Sequence, residues 1–137
     1  MTIVIDASVA VKWVLPEPRT EAALALRNEQ LIAPALWLAE AANALWRHVR
    51  LGELTGEQAL ALMAELEKAP VASFPIEPHI TPALEIAARA GHPVYDCVYL
   101  ALALHRDTHV MTDDRRFAAA AARLGVGDRV RLLGSQL

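Results

Sequence analysis

Two hydrophobic periods alternate along this chain. Residues 2–5 (TIVI) form a short apolar run rich in β-branched side chains, as a buried strand requires. Comparable runs recur at 31–34 (LIAP), 71–76, 108–112 (THVMT) and 129–133 (RVRLL), the one at 71–76 being interrupted by Pro75. Between these runs the apolar positions recur at helical spacing. Helices are predicted over residues 7–15, stopped by Pro16 and Pro18, over 19–30, with Glu21 in the first turn, and over 35–52, which follows Pro34 and ends at Gly52. Further helices are predicted over 54–69 with Thr55 as N-cap, over 79–91 with Thr81 as cap and Pro82 in first position, over 94–105, and over 113–125. Segment 94–105 is apolar almost all round and should lie buried. Strands alternating with helices predict an α/β fold: a mostly parallel central sheet of about five strands flanked by helices, in one domain over residues 1–137.

Composition narrows the function. Hydrophobic residues make up 55 %, many of them alanine, which fits closely packed helices. No apolar stretch reaches the ~18 residues of a spanning helix, and no basic segment with a cleavage site opens the chain, so neither a membrane span nor a secretory signal is expected. Cys97 is the only cysteine; with no internal disulfide available, it reads as a small buried hydrophobe in a reducing, cytoplasmic setting. The net charge of −3 argues against tight, non-specific nucleic-acid binding by a basic surface. It leaves a nucleic-acid substrate open, because bound divalent ions can supply positive charge locally.

The acidic residues sharpen this. Asp6 follows the first strand, and Asp113 and Asp114 follow the strand at 108–112. If those strands are parallel, their carboxyl ends share the edge of the sheet where α/β folds bind ligands. Glu40 is the only acid between Gln30 and Gly52, on a stripe with Asn43 and Arg47, and Asp96 is the only acid in its apolar helix. Taken singly, Asp6 or Asp113 could cap a helix, Asp96 could favour a helix N-terminus, and Glu40 could face solvent. Taken together, four isolated acids converging in apolar surroundings would repel unless a cation sat among them. Glu53, Glu57, Glu65, Glu67 and Glu85, on polar helix faces, serve as the contrast. Oxygen ligands select Mg²⁺ or Mn²⁺ over zinc, and the histidines show no zinc-type spacing. Hydrolysis of a phosphodiester is the chemistry such a site suits.

The segments IVIDASVAVKW, LAEAANALWR, PVYDCVYLALA and VMTDDRRF resemble, in order, the four acidic motifs of PIN-domain ribonucleases, most of all the VapC toxins of prokaryotic toxin–antitoxin pairs. The resemblance runs from residue 2 to about residue 133. It implies a PIN-like fold and a Mg²⁺- or Mn²⁺-dependent endoribonuclease with Asp6, Glu40, Asp96 and Asp114 as catalytic, metal-binding acids. Asp114 is preferred to Asp113 because the family pattern is Thr–x–Asp. Ser8 and Thr112 would support the site, Asn43 would orient substrate or metal-bound water, and Asp113 would be an extra acid beside it. Arg47, Arg50, Arg115 and Arg116 are candidate RNA contacts, with ordinary solvated charge as the alternative. The resemblance further implies an RNA substrate, a homodimer and a VapB-type antitoxin. Residues 36–49, with Trp37 and Trp46, are a candidate partner surface, against plain core packing. A phosphatase or receiver built on Asp6 fits badly, since Ser8 stands where the phosphatase needs a second acid and the acidic pair comes too late for a receiver. A non-catalytic interaction module that kept the fold is the remaining alternative.

Overall fold

The computed structural model describes residues 1–134. Five strands form one all-parallel sheet in the order β3–β2–β1–β4–β5: β1 (Thr2–Ile5), β2 (Gln30–Pro34), β3 (Val71–Phe74), β4 (Val110–Thr112) and β5 (Val130–Leu132). Central β1 is covered on both faces, with Ile3, Val4 and Ile5 all buried, which is why it reads as an unbroken apolar run and not as an alternation. The register pairs Val4 with Val110 and Ile5 with Met111. Asp6 and Thr112 therefore leave the sheet side by side.

Among the described residues, seven helices connect and cover the strands: α1 (Ala7–Ala10), α2 (Thr20–Ala25), α3 (Leu36–Arg50), α4 (Gly56–Glu67), α5 (Glu77–Ala90), α6 (Val94–His105) and α7 (Arg115–Arg123). Thr55 caps α4 as expected, in a reciprocal capping box with Gln58. Helix α6 is the central one, every residue from 97 to 103 being buried. Each large apolar side chain it hides, Leu100 and Leu102 among them, contributes ~2 kcal/mol. That burial holds Asp96, in the first turn of α6, on a rigid support.

Three expected elements are redrawn. The helix after β1 is α-helical only to Ala10 and tightens into a 3₁₀ turn over Val11–Trp13. The stretch 19–30 holds the short α2, a 3₁₀ turn over Leu26–Asn28 and the first residue of β2. Helix α5 begins at Glu77, so Pro82 lies inside it and Thr81 is not its cap. Pro78, in the first turn, supplies the start expected of the Thr81–Pro82 pair. Burial of His79 and Ala83 favours the earlier turn over the one hydrogen bond that Pro82 cannot make.

Candidate metal centre

Strand order reverses at β1: the chain moves outward through β2 and β3, then returns to the other side of β1 with β4. Ligands of open α/β sheets bind at such a switch point, beyond the carboxyl ends of the strands. A cleft of about 400 Å³ opens there, and Asp6, Glu40, Asp96 and Asp114 all line it, with Ser8, Arg47 and Asp113.

Each acid is held differently. Asp6 is buried, and its Oδ2 accepts the hydroxyls of Thr112 at 2.6 Å and Ser8 at 3.1 Å. It also caps α1, its Oδ1 accepting the Ser8 N–H at a long 3.5 Å. Burial, helped by the charge of Asp96, pushes its carboxyl from 3.8 to about 6, and the hydroxyl donors offset only part of this. Glu40 extends from α3 and accepts the phenol of Tyr99 on Oε1 at 2.6 Å. Its carboxyl rises to about 7, first through burial and then through the charges of Asp6 and Asp96. Burial likewise raises Tyr99, with Asp6 and Glu40 adding to the effect, so the phenol stays a donor. Asp96 is raised by burial and by the charge of Asp114, against a 2.6 Å contact between its Oδ2 and His92 Nε2. Asp114 caps α7, its Oδ1 accepting the N–H groups of Arg116 at 2.9 Å and Phe117 at 3.3 Å. Asp114, not Asp113, is thus the helix cap.

The four carboxylates form one electrostatically coupled set. Among the described residues, no lysine or arginine forms an ion pair with any of them. One ligand atom each from His92, Asp96 and Asp114 lies within 4.8 Å of the others. A converging oxygen-rich set whose one cationic neighbour among the described residues is the imidazole of His92, beside Asp96, fits a hard divalent cation.

Asp113 behaves otherwise. Its carboxylate is taken up by Lys12 Nζ at 3.1 Å and by the Arg19 guanidinium at 2.8 and 3.1 Å. Partial burial pushes its pKa up, but the hydrogen bonds from Arg19 and Lys12, with their charges, outweigh this and leave it below the usual carboxylate range. Arg47 lines the cleft, whereas Asn43, Arg50, Arg115 and Arg116 are exposed outside its lining. Arg50 lies 5.6 Å over the ring of Trp46. Trp37 is core, donating to Ser73 Oγ at 2.9 Å, while Trp46 is 52 % exposed.

Three residues that the sequence did not single out now matter: His92, Tyr99 and Lys12. Tyr99 carries a polar atom in an otherwise greasy helix, three residues after Asp96, and Lys12 is the only charge in residues 7–15. The isolation that flagged the acids would have flagged both.

Residues 3–123 match the PIN domain family. Ribonuclease VapC3 of Pyrobaculum aerophilum is 33 % identical over 124 residues, covering 86 % of this chain and 93 % of that protein. Among solved structures, PAE2754 from the same organism is similar at a TM-score of 0.68 and 24 % identity, over 88 % of this chain and 79 % of its own. Mycobacterium tuberculosis VapC20, a toxin that cleaves the sarcin–ricin loop, gives the same TM-score at 18 % identity, over 86 % of this chain and 94 % of its own. These last two likenesses speak for the fold. The chain belongs to the PIN-domain family, among its VapC-type members.

Proposed function

We propose that this chain is a Mg²⁺- or Mn²⁺-dependent endoribonuclease and the toxin of a toxin–antitoxin pair. One observation carries the reading: four mutually repelling carboxylates, two of them with pKa values raised to about 6 and about 7, share a cleft at the sheet's switch point without a lysine or arginine partner among the described residues. Relatedness to a protein named as a ribonuclease supports RNA as the substrate class.

Asp6, Glu40, Asp96 and Asp114 would hold the ion. When bound, it supplies a more acidic water and charge neutralisation at the leaving oxygen. The chain's own groups do the rest. Ser8 and Thr112 fix the Asp6 carboxylate through its Oδ2. Glu40 Oε2 accepts no hydrogen bond among the described residues and is free to take a proton from an attacking water, while Tyr99 holds the other oxygen. Arg47, on the cleft wall, is placed to hold a backbone phosphate. Asp113, paired with Lys12 and Arg19 beside the cleft, would not be among the acids that hold the ion.

A VapB-type antitoxin is the expected protein partner, with a homodimer as the working assembly and the cytoplasm as the compartment. Exposed Trp46, Leu51 and Leu60 offer apolar surface on and next to the helix that carries Ala44, Arg47 and His48 into the cleft. The test is incubation of the purified chain with total RNA in Mn²⁺, in EDTA, and as Asp96→Asn in Mn²⁺. Cleavage in the first arm alone is expected. Equal cleavage in all three would rule out the acid site, and intact RNA in all three would leave an interaction module as the better account.

A further inference from the structure

In Glu40, Asp96 and Asp114 one oxygen is held by the protein, and in Asp6 the two short hydrogen bonds fall on one oxygen while the other takes only a long one from the Ser8 N–H. Thr112 and Ser8 hold Asp6, Tyr99 holds Glu40, and the first turn of α7 holds Asp114. For Asp96 the holder is His92, whose Nε2 lies 2.6 Å from Oδ2. Asp96 Oδ1 and Asp114 Oδ2 accept no hydrogen bond among the described residues. Those are the oxygens left for a cation.

His92 is itself fixed from several sides. It is the single residue between the left-handed Gly91 that ends α5 (φ 64°) and Pro93, the N-cap of α6. Its carbonyl accepts the Cys97 thiol at 3.9 Å. Its ring stacks on Phe117, with centroids 5.5 Å apart and planes 12° from parallel. Its side chain is only 9 % exposed. Phe117 also donates its backbone N–H to Asp114. The imidazole thus bridges the two halves of the site, gripping Asp96 on α6 while resting on the turn that orients Asp114.

We propose that His92 is a positioning residue of the metal centre: its Nε2–H locks the Asp96 carboxylate so that Oδ1 faces the ion, and the Phe117 stack locks the imidazole. This rests on the metal-site reading above. The imidazole needs no open coordination position for the role, and a histidine–carboxylate contact of this kind holds a ligand in the orientation the ion requires. Loss of such a group costs about 10- to 100-fold in metal affinity.

Calorimetric titration of the full chain with Mn²⁺ and with Mg²⁺, at mildly alkaline pH, tests it in wild type, His92→Ala and His92→Gln. The glutamine amide presents an N–H near the place of Nε2. His92→Ala should bind both ions about 10- to 100-fold more weakly, and His92→Gln should recover most of the loss. Thermal unfolding in EDTA, run alongside, reports packing alone. Unchanged affinity in His92→Ala overturns the proposal. So does equal weakening in both variants with equally lowered unfolding midpoints, which would make His92 merely structural. Loss of Mn²⁺ binding with Mg²⁺ binding intact would make His92 a direct nitrogen ligand and overturn the positioning role. A wild type that binds neither ion defeats the metal-site reading itself, a result distinct from all of these.

Discussion

Two groups of charges sit side by side at the carboxyl edge of the sheet, and they follow opposite rules. In the first, Lys12, Glu17, Arg19 and Asp113 are matched in sign: Lys12 Nζ lies 3.2 Å from Glu17 and 3.1 Å from Asp113, and Arg19 closes on Asp113. In the second, Asp6, Glu40, Asp96 and Asp114 share one sign. The result shows in how the two groups hold their protons. Asp113 is held below the usual carboxylate range by its cations, while burial and like charge raise Asp6, Glu40 and Asp96. A matched group is internally satisfied and serves the fold. An unmatched group lowers stability until something joins it, so its presence points to a ligand.

Substitution in the two groups should therefore act with opposite sign. Lys12→Met removes a cation whose side chain is 1 % exposed and leaves Asp113 and Glu17 short of their partner. It should cost about 3 kcal/mol, near the low end for breaking a buried pair because both acids retain some solvent. For a domain of this size the midpoint would fall by about 10 °C in a melt in EDTA. A drop of only a degree or two would mean that the pair is not a structural clamp. Asp6→Asn should do the reverse: without metal it relieves a buried carboxylate and stabilises the fold at neutral pH by on the order of 1 to 2 kcal/mol. The same change should reduce RNA cleavage by more than about 100-fold, since it removes an expected ligand and not merely a supporting group. An Asp6→Asn protein that is less stable in EDTA than wild type would contradict the unmatched-charge account.

The pH dependence carries the same contrast. Asp6 has a folded pKa of about 6 against an ordinary 3.8, and Glu40 about 7 against 4.5. Between those limits the folded state binds more protons than the unfolded one, so stability falls as pH rises through them. Asp113 is shifted the other way, and the stability it contributes is lost only as pH falls below 3.8 through its depressed value. In EDTA, the difference in midpoint between Asp6→Asn and wild type should be small near pH 4 and grow in favour of the variant up to about pH 6. Saturating Mn²⁺ should reverse it at high pH, because an ion that binds only the folded, ionised site adds stability by mass action. A difference that stays flat across this range would remove Asp6 from the coupled set.

How far each group was legible in the sequence follows from the same physics. Asp6, Glu40 and Asp96 stood out because each is solitary in an apolar segment, and parallel strands would put Asp6 and the Asp113–Asp114 pair on one edge; within that pair only the Thr–x–Asp pattern of the resemblance favoured Asp114. Lys12 is equally solitary, but its partner Asp113 lies at the far end of the chain, and only the pairing of β1 with β4 brings them together. His92 sits four residues before Asp96, a spacing easily read as a loop and a helix start; its ring packing on Phe117 is tertiary and leaves no local pattern. The start of α5 went the same way. Two prolines competed, and contacts made by His79 and Ala83, not capping rules, favoured the earlier one. Exposed arginines were the least legible: Arg47 reaches the cleft while Arg50, one turn on, stacks over Trp46, a choice of helix face that one polar stripe could not decide.

Arg19 gives the smallest expected effect and the finest comparison, because it and Lys12 serve the same carboxylate from different depths. Its side chain is 45 % exposed, against 1 % for Lys12, so water already compensates much of its charge. It also occupies the left-handed region at φ 68°, a conformation glycine adopts without the steric cost an L side chain bears. Arg19→Gly removes the bond to Asp113 but relieves that backbone, while a freer unfolded chain pulls slightly the other way. These contributions nearly cancel, and the midpoint in EDTA should stay close to wild type, far from the fall expected of Lys12→Met. If Arg19→Gly instead destabilises as much as Lys12→Met, the clamp depends on both cations equally and depth of burial is not what distinguishes them. If Lys12→Met alone is damaging, the matched group reduces to one buried pair, Lys12 with Asp113, standing directly beside the unmatched acids it helps to place.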